Sequence, residues 1–442
     1  MTTPAADALF TTRSMTDVFS AQALVRQMLR FESALARAEA RAGIVPSAAA
    51  DAIAAACHAE RYDASAILAE AARAGTPAIP LVRLLTERVD PASRGWVHWG
   101  ATSQDVVDTA LVLQMRDGLD LLAGDLRAVA ARAADLAQRH RHAVMAGRTL
   151  LQHASPVTFG LKAARWLALV VRQIDALDAL RVDALALQLG GAVGTLAPLG
   201  AAGLAVVARL AEELGLPAPD LPWHAERDRI ARIAAAVGIV AGAMSKIAGD
   251  VVLLAQTEVG EVAAGEGGSS AMPQKRNPVD AMSALASARL AVAMVPTLLD
   301  AGGHEHERAV GAWQAEWVAI PQLFGHTASA VTSVRRMLDD LEVHHDRMRA
   351  NLEAAGGTLM AESLSTALAA QLGRVEAHEL ARVVSARAAR GDVTLQEAAA
   401  EEDRITAVLS EGDLMRALDP ASFLGSTDAF IDRALAAFRR IS

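Results

Sequence analysis

Apolar residues recur three or four positions apart along most of this chain, and short stretches of glycine, proline and polar residues interrupt them. Between Ala21 and Gly43 the spacing is that of an amphipathic helix. The rest of the first 110 residues shows shorter helical patterns separated by glycine and proline. Runs of β-branched and aromatic residues, typical of strands, are scarce. The pattern therefore predicts an all-α protein.

Five longer helical patterns follow, several of them exceeding 30 residues. They cover Asp105–Gln138, Pro156–Gln188, Arg227–Ala263, Pro278–Leu299 and Trp313–Ala354. Because helices of globular proteins average about a dozen residues, these lengths favour a bundle of long helices. The third pattern is apolar around much of its circumference, so we expect it to be buried on all sides. A single chain offers few neighbours for such burial, which predicts that subunits associate through these helices.

The length of the chain indicates more than one domain. At 442 residues it exceeds what a single simple core usually holds. The change from short to long helical patterns and the glycine pair Gly356–Gly357 mark the boundaries. We predict an N-terminal helical domain over residues 1–110, a central long-helix bundle over 111–355 and a C-terminal helical cap over 356–442.

Composition narrows the class of function. The formal net charge is −9 and no block rich in lysine and arginine occurs, so we expect no nucleic-acid partner. Cys57 is the single cysteine, which excludes an intramolecular disulfide and fits a reducing compartment. The N-terminus lacks the pattern of a secretory signal, and polar or charged residues interrupt the longest apolar runs, so we expect no membrane partner. The protein is predicted to be soluble and cytoplasmic.

The segment from Gly268 to Pro278 has the composition of a substrate-binding loop. Lys275 is one of only three lysines in the chain, and it follows the adjacent hydroxyls of Ser269 and Ser270. Glycine frees the backbone, and prolines on both sides of the lysine prevent regular structure. A cation beside paired hydroxyls suits an anionic substrate, whereas the alternative is a plain helix–helix connection.

Two further segments place polar groups just before a predicted helix. Thr102 and Ser103 offer hydroxyls and free backbone N–H groups, which suit a carboxylate. The alternative is that one of the two is only the N-cap of the helix. Thr149, Gln152 and His153 supply a hydroxyl, an amide and a titratable ring before the next long pattern.

Other polar clusters carry weaker signals. His304 and His306 are two positions apart, whereas paired helical metal ligands are four apart, so a pocket wall or ion pairs at a bundle end are the better interpretations. The glycine-rich stretch 190–195 has no preceding strand and no following lysine, which favours a tight turn over phosphate binding. The chain contains no G-x-S-x-G motif. We expect acid–base chemistry on an anionic substrate, with no metal and no cofactor.

The loop sequence GSSAMPQKRNP resembles the signature loop of the fumarase/aspartase superfamily, G-S-x-x-M-x-x-K-x-N. WGATSQD and GRTLLQHASP resemble the first and second regions of that family, and GGAVGT, PWHAERDR and EHERAVGAWQAEW match in order along nearly the whole chain. The resemblance implies a three-domain, all-α subunit with a central bundle of five long helices. It also implies a homotetramer with a core of twenty helices, whose active sites are each shared by three subunits.

The resemblance further implies roles for the polar residues. Members of the family move a proton next to a carboxylate of a small di- or tricarboxylate, through an aci-carboxylate intermediate. By this resemblance Ser269 is the carbon acid/base, and Lys275 and Asn277 hold a substrate carboxylate. The other implied contacts with the substrate are Thr102, Ser103, Thr149, Gln152 and Ser270.

Leu150 departs from the pattern of the family. Most lyases of the superfamily have a histidine at this position, which assists proton transfer to the leaving group. A lyase that expels an amine needs that help, whereas a cycloisomerase uses an ionised carboxylate of the same molecule. Leu150 therefore favours a cycloisomerase that lactonises a carboxymuconate, as in protocatechuate breakdown. The open alternative is an adenylosuccinate-type lyase with His153 as a catalytic acid, and the remote one is a catalytically silent structural relative.

Overall fold

Helices dominate a computed structural model, which describes residues 7–265, 267–268 and 271–441. It is 69% helical, with eighteen α-helices and minimal sheet, so the all-α prediction is confirmed. The N-terminal helices are α1 (Arg13–Val18), α2 (Ala21–Arg41), α3 (Ser47–Ala56), α4 (Ala64–Ala74) and α5 (Ala78–Arg88). Helix α2 is the predicted amphipathic helix, and the Ser20 hydroxyl caps it by accepting the backbone N–H of Ala23 at 3.2 Å.

The five long helices are present in chain order. They are α6 (Ser103–Arg139), α7 (Phe159–Asp183), α9 (Asp228–Ala255), α10 (Val279–Asp300) and α11 (Ala312–Asp339), with the shorter α8 (Gly203–Leu214) between the second and third. Only α6, with 37 residues, exceeds 30 residues, so the prediction of several such helices is wrong. The order and number of the long patterns nevertheless agree with the sequence.

Three of the predicted boundaries are wrong because short strands occupy parts of the predicted helical patterns. Residues 156–158 belong to β2 (Gln152–Thr158), which pairs with β1 (Val144–Thr149) in an antiparallel hairpin. The predicted third helix stops at residue 255, and the chain turns through Gly260, at a φ of 60°, into β3 (Val262–Ala264). The fifth pattern breaks at β4 (Leu341–Val343), the antiparallel partner of β3.

The chain after β4 forms a set of short helices. They are α12 (His345–Glu353), α13 (Ala361–Leu372), α14 (Arg374–Ala388), α15 (Leu395–Ala400), α16 (Asp403–Thr406), α17 (Glu411–Leu418) and α18 (Thr427–Phe438). The apolar faces of α13 to α17 build one core, with Leu364, Leu368 and Val384 fully buried. Separate 3₁₀ turns lie at Asp7–Phe10, Ala59–Arg61, Arg94–Trp96, Ala197–Ala202, Thr358–Met360 and Pro420–Ser422.

The chain divides into two compact units, each built from separate segments. The first unit comprises Met1–Leu126, Gln173–Ser245 and Ser283–Thr332. The second unit comprises Arg127–Arg172, Lys246–Met282 and Ser333–Ser442. Thr102 and Ser103 therefore belong to the first unit, and the hairpin and the loop containing Lys275 belong to the second.

Helices α9 and α10 are long and apolar enough, by length and composition alone, to cross a membrane. In α9, 56% of the most apolar 18-residue stretch is buried within the chain, which is usual for a core helix. In α10 only 28% of that stretch is buried. Helix α10 thus presents an apolar surface that the chain itself does not cover.

Glu39 is a fully buried acid on the inner face of α2. Neither of its carboxyl oxygens has a hydrogen-bond partner among the residues that the structure describes. Burial, and secondarily the charge of Glu32, raises the pKa of Glu39 to about 9. The side chain is therefore protonated at neutral pH.

Glu39→Gln is expected to stabilise the protein, and the gain should grow as the pH rises from 5 to 8. Because the pKa of Glu39 is raised on folding, the folded state retains a proton that the unfolded chain releases above pH 4.5. This costs about 1.4 kcal/mol per pH unit until the folded pKa is reached. The gain should be near zero at pH 5 and up to about 4 kcal/mol at pH 7.5, measured by urea unfolding.

Glu60→Gln is the matched control for this series, because the Glu60 side chain is 74% exposed. Its effect should stay within about 0.5 kcal/mol at every pH. A gain for Glu39→Gln that is the same at pH 5 and pH 8 would contradict the assignment of a neutral, buried carboxyl.

Candidate active site

Thr102 and Ser103 are half-buried residues at the beginning of α6. The Asp105 carboxylate, in the first turn, accepts the backbone N–H of Thr102 at 2.9 Å. This is one half of a capping box. The other half is missing, since neither the Thr102 nor the Ser103 hydroxyl makes a hydrogen bond within the described part of the chain. A carboxylate side chain therefore does the capping, and the two hydroxyls remain available to a ligand.

The second predicted region lies on the β1–β2 hairpin. Thr149 is paired with Gln152, which leaves Leu150 and Leu151 as a two-residue turn. Both leucines have a positive φ, 52° and 63°, as in a type I′ turn, where Asn and Gly are usual. Their side chains are 96% and 71% exposed. The left-handed conformation costs a non-glycine residue roughly 1–2 kcal/mol, and strain of this kind is typical of functional segments.

The register of the hairpin separates the predicted contacts into two faces. Thr149 and Gln152 are directly opposite each other, so their side chains share one face. His153 is paired with Arg148, and alternation along the strands places these two side chains on the other face. Thr149, Gln152 and His153 are all exposed. The structure thus brings Thr149 and Gln152 together and orients His153 away from them.

Arg148 anchors the hairpin to the segment that leads into the predicted loop. Its guanidinium donates to both carboxylate oxygens of Glu261, at 2.9 and 2.8 Å. Glu261 is fully buried and also accepts the Asn351 amide at 2.8 Å. Because Glu261 directly precedes β3, the ion pair fixes Thr149 relative to the start of this segment. This ion pair was not predicted from the sequence.

The predicted loop is closed by a backbone bridge at its base. Gly267 and Asn277 pair in an antiparallel bridge, and the Asn277 amide donates to the carbonyl of Gly268 at 2.9 Å. A Cβ at Gly267 would lie 2.3 Å from the Asn277 carbonyl oxygen, so only glycine fits here. Because the Asn277 amide donates to Gly268, one of its two N–H groups is already used within the loop.

The remaining predicted residues of the loop are Ser269, Ser270 and Lys275. Ser269 and Ser270 lie outside the described residues. Lys275 is exposed, and its backbone N–H donates to the carbonyl of Met272 at 3.0 Å in a turn. Next to it, Arg276 pairs with Glu342 at 3.0 Å. The lysine side chain is thus presented on a turn whose flanks are held.

The His304 cluster supports the interpretation of a buried polar wall. The His304 Nδ1–H donates to the His224 carbonyl at 3.1 Å, and burial, followed by the charge of Arg227, lowers the pKa of His304. Its ring is therefore neutral at pH 7. Over residues 7–265, 267–268 and 271–441, no group of three or more His, Cys, Asp or Glu side chains is arranged to hold a metal ion.

An ion-pair network around Arg227 was not predicted from the sequence. Arg227 is buried and donates to both oxygens of Asp108, at 2.8 and 3.1 Å, and to both oxygens of Glu316. Asp108 also accepts the indole N–H of Trp313 at 2.8 Å. Burial would lower the pKa of Arg227, but the two carboxylates raise it, so the guanidinium stays charged. The network joins the starts of α6, α9 and α11.

Comparison with known proteins finds relatives over nearly the whole chain. A sequence model described as lyase matches residues 2–290, and one described as adenylosuccinate lyase C-terminus matches residues 357–434. A 3-carboxy-cis,cis-muconate cycloisomerase of Pseudomonas aeruginosa is 48% identical over 97% of this chain and 95% of that protein. A nitrosuccinate lyase of Streptomyces davaonensis is 40% identical over 92% of this chain and 89% of its own length.

A solved structure agrees with the sequence comparisons. The crystal structure of the 3-carboxy-cis,cis-muconate lactonizing enzyme from Pseudomonas putida superposes with a TM-score of 0.92 at 42% identity, covering 99% of both chains. Such a match extends over the helical bundle, the hairpin and the C-terminal helices alike. With a lyase model covering more than half of its length and a relative at 48% identity, the chain belongs to the fumarase/aspartase superfamily.

Proposed function

We propose that the protein is a cofactor-independent cycloisomerase that converts 3-carboxy-cis,cis-muconate into 4-carboxymuconolactone. The observation that carries the proposal is Leu150 at the exposed tip of the hairpin, between Thr149 and Gln152. An apolar side chain there provides no proton for a departing amine. Lactonisation needs none at that point, because the nucleophile is a carboxylate of the substrate that is already ionised.

The reaction is an isomerisation in which one C–O bond forms. A substrate carboxylate oxygen adds to one carbon of a double bond, and the π electrons move toward the neighbouring carboxylate, giving an aci-carboxylate. Ser269 then delivers a proton to the adjacent carbon. Preorganised donors stabilise the charge that develops in such an intermediate. In this proposal the donors are Lys275, Asn277, Thr102 and Ser103, with Ser270, Thr149 and Gln152 as further contacts.

The Asn277 amide supports this division of labour in a specific way. One of its N–H groups braces the loop by donating to the Gly268 carbonyl. A side-chain amide has a second N–H. The residue can therefore hold the base of the loop and a substrate carboxylate at the same time.

We further propose that four copies assemble into a homotetramer and that groups from different subunits complete each site. The support is the uncovered apolar surface of α10, most of whose apolar window is exposed. Its exposed apolar side chains include Met282, Leu290, Val292 and Leu299. An apolar helix surface of this length requires a partner in water. A second helical face of the same kind, supplied by another copy, provides one.

The proposal includes a soluble, cytoplasmic enzyme of protocatechuate catabolism, with the predicted three-domain subunit. A single cysteine and a net charge of −9 fit a soluble protein in a reducing compartment. A 3-carboxy-cis,cis-muconate cycloisomerase that is similar over 97% of the chain supports the metabolic role.

The competing activity is elimination from a C–N bonded succinate, as in an adenylosuccinate-type lyase. It requires an acid near Thr149 and Gln152. His153 is on the opposite face of the hairpin from that pair, which disfavours it in this role. Because the chain is also similar to a nitrosuccinate lyase, elimination has to be tested beside lactonisation.

The purified protein is expected to consume 3-carboxy-cis,cis-muconate and to leave adenylosuccinate and nitrosuccinate unchanged. The loss of a conjugated diene lowers the ultraviolet absorbance, and mass spectrometry of the product should show the unchanged mass of an isomer. The three substrates are offered side by side at equal concentration. Turnover of a succinate with a kcat/KM equal to or above that for carboxymuconate would replace the proposal by a C–N lyase.

A further inference from the structure

Asp105 connects three segments of the first unit through hydrogen bonds. Its side chain is fully buried and cannot touch a substrate. Its Oδ1 accepts the backbone N–H of Gly190 at 2.9 Å and faces Nε2 of His224 at 2.7 Å. Its Oδ2 accepts the backbone N–H of Thr102 at 2.9 Å and that of Gly191 at 3.0 Å. A carboxylate has about four acceptor positions, so every one of them is used.

The four donors come from three segments that are far apart in the sequence. Thr102 precedes α6, Gly190 and Gly191 open the stretch GGAVGT, and His224 belongs to PWHAERDR. All three stretches match the pattern of the family in the sequence, but the sequence indicated no part in the site for the last two. A single carboxylate now connects them.

The three segments meet so closely that they leave no room for adjustment. A Cβ at Gly190 would lie 2.7 Å from Pro222 and 2.8 Å from the His224 ring. Gly191 has a φ of 70°, and a Cβ there would lie 3.0 Å from the carbonyl oxygen of Gly100, two residues before Thr102. The position of the Thr102 backbone is thus set by contacts with the glycine segment and by Asp105.

The backbone around His224, the fourth donor, is itself held by hydrogen bonds. The carbonyl oxygen of His224 accepts the side-chain amide of Gln104 at 2.9 Å and Nδ1–H of His304 at 3.1 Å. Gln188 accepts the backbone N–H of Trp223, next to His224, at 3.0 Å. Asp105 therefore binds to a rigid support, and the hydrogen bond to Thr102 transmits that rigidity to the start of α6.

We propose that Asp105 is a positioning residue that acts through Thr102 and Ser103. By accepting the backbone N–H of Thr102, it fixes the backbone that carries the two hydroxyls, and it holds both hydroxyls in the orientation that binds a substrate carboxylate. This inference rests on the proposed function, in which those hydroxyls contact the substrate. Nothing in it requires Asp105 to change its protonation during turnover.

The test is a double-mutant cycle of Asp105→Asn and Thr102→Ala. Asparagine keeps the shape but turns an NH₂ group toward two of the four donors. A displacement of the hydroxyls by about 1 Å costs on the order of 10²-fold, so Asp105→Asn should lower kcat/KM for carboxymuconate by that factor. Thr102→Ala alone should lower it by about 10-fold, by removing one hydrogen bond to a charged group.

The double variant decides between a positioning and a merely structural role. If Asp105 acts through Thr102, the double variant should be within about threefold of Asp105→Asn alone, because coupled residues are not additive. Losses that multiply to about 10³-fold would overturn the proposal. Rates are expressed per folded protein from circular dichroism and size exclusion, so that a lower yield is not read as a lower kcat/KM. Asp117→Asn, on the same helix with a side chain that is 41% exposed, should stay within about twofold of wild type.

Two additional measurements keep the outcome decisive. If Asp105→Asn does not fold, Gly191→Ala disturbs the same contact from the opposite side while leaving the carboxylate intact, and its cycle with Thr102→Ala is read in the same way. Hydrogen exchange at the amides of Thr102, Gly190 and Gly191 requires no substrate. These amides should exchange at least about 10-fold faster in the disturbed variant. Unchanged exchange would show that Asp105 does not hold these three amides and would overturn the inference. A wild-type protein without turnover would overturn only the proposed function.

Discussion

Ser269→Ala is expected to lower kcat for 3-carboxy-cis,cis-muconate by about 10³-fold, within the range of roughly 10²–10⁴ that general acid–base catalysis contributes. The residue supplies the proton to carbon in the proposed reaction, and alanine can neither donate nor accept one. KM should change little, because the carboxylates are held by Lys275, Asn277 and the hydroxyls of Thr102 and Ser103. Steady-state kinetics at saturating substrate measures the effect.

Ser270→Ala is the matched control, since it removes the neighbouring hydroxyl of the same loop. As a binding residue it should raise KM by about 10-fold and leave kcat within about threefold, following the loss of one hydrogen bond to a charged group. Both variants should elute as the same oligomer as wild type. Full turnover by a correctly assembled Ser269→Ala enzyme would reject Ser269 as the acid/base, and a larger kcat loss for Ser270→Ala would exchange the two roles.

Arg227→Met is expected to destabilise the protein by about 3–5 kcal/mol, the usual cost of leaving buried charges without their partner. Methionine fills much of the volume but leaves the carboxylates of Asp108 and Glu316 facing each other in a buried site. Two carboxylates that share a buried site without a cation repel each other, which opposes the ionisation of both. Urea unfolding at pH 7.5 should show the loss.

Arg232→Met provides the comparison, because this arginine lies on α9 and pairs with Asp183 at 3.2 Å while both side chains are about half exposed. An exposed pair contributes at most about 1 kcal/mol. The triple replacement Arg227→Met, Asp108→Asn, Glu316→Gln should recover part of the loss, because it removes the stranded charges. Equal destabilisation by Arg227→Met and Arg232→Met would show that the buried network contributes no more than a surface pair.

The sequence predicted the elements whose physical signal is local. The helical period identified α2 and the order of the long helices, and the superfamily assignment rested on motifs that the comparisons confirm. The interpretation of Leu150 as a departure from the lyase pattern stays a prediction. The tetramer, the domain boundaries and the roles of the site residues stay predictions.

What the sequence could not predict depends on partners that are remote along the chain. The hairpin was missed because its turn holds two leucines with positive φ, where local rules expect Asn and Gly. The ion pairs of Arg227 join residues 89 and 119 positions apart, a separation that no local sequence pattern reveals. The available signal was tryptophan near charged residues, at Trp223 before Arg227 and at Trp317 after Glu316, in a chain with only 3% aromatic residues.

The hairpin also bears on how such an enzyme changes its chemistry over evolutionary time. Thr149 and Gln152 are held by strand pairing and by the anchor from Arg148 to Glu261, so their positions do not depend on the two residues between them. The turn requires a positive φ at both positions whichever side chains occupy them. The residues at the tip can therefore be exchanged while the strand pairing stays the same. A single codon change at Leu150 can add or remove a proton donor at this position. One fold can in this way serve both ring closure and elimination, with the proposed substrate contacts of Thr149 and Gln152 unchanged.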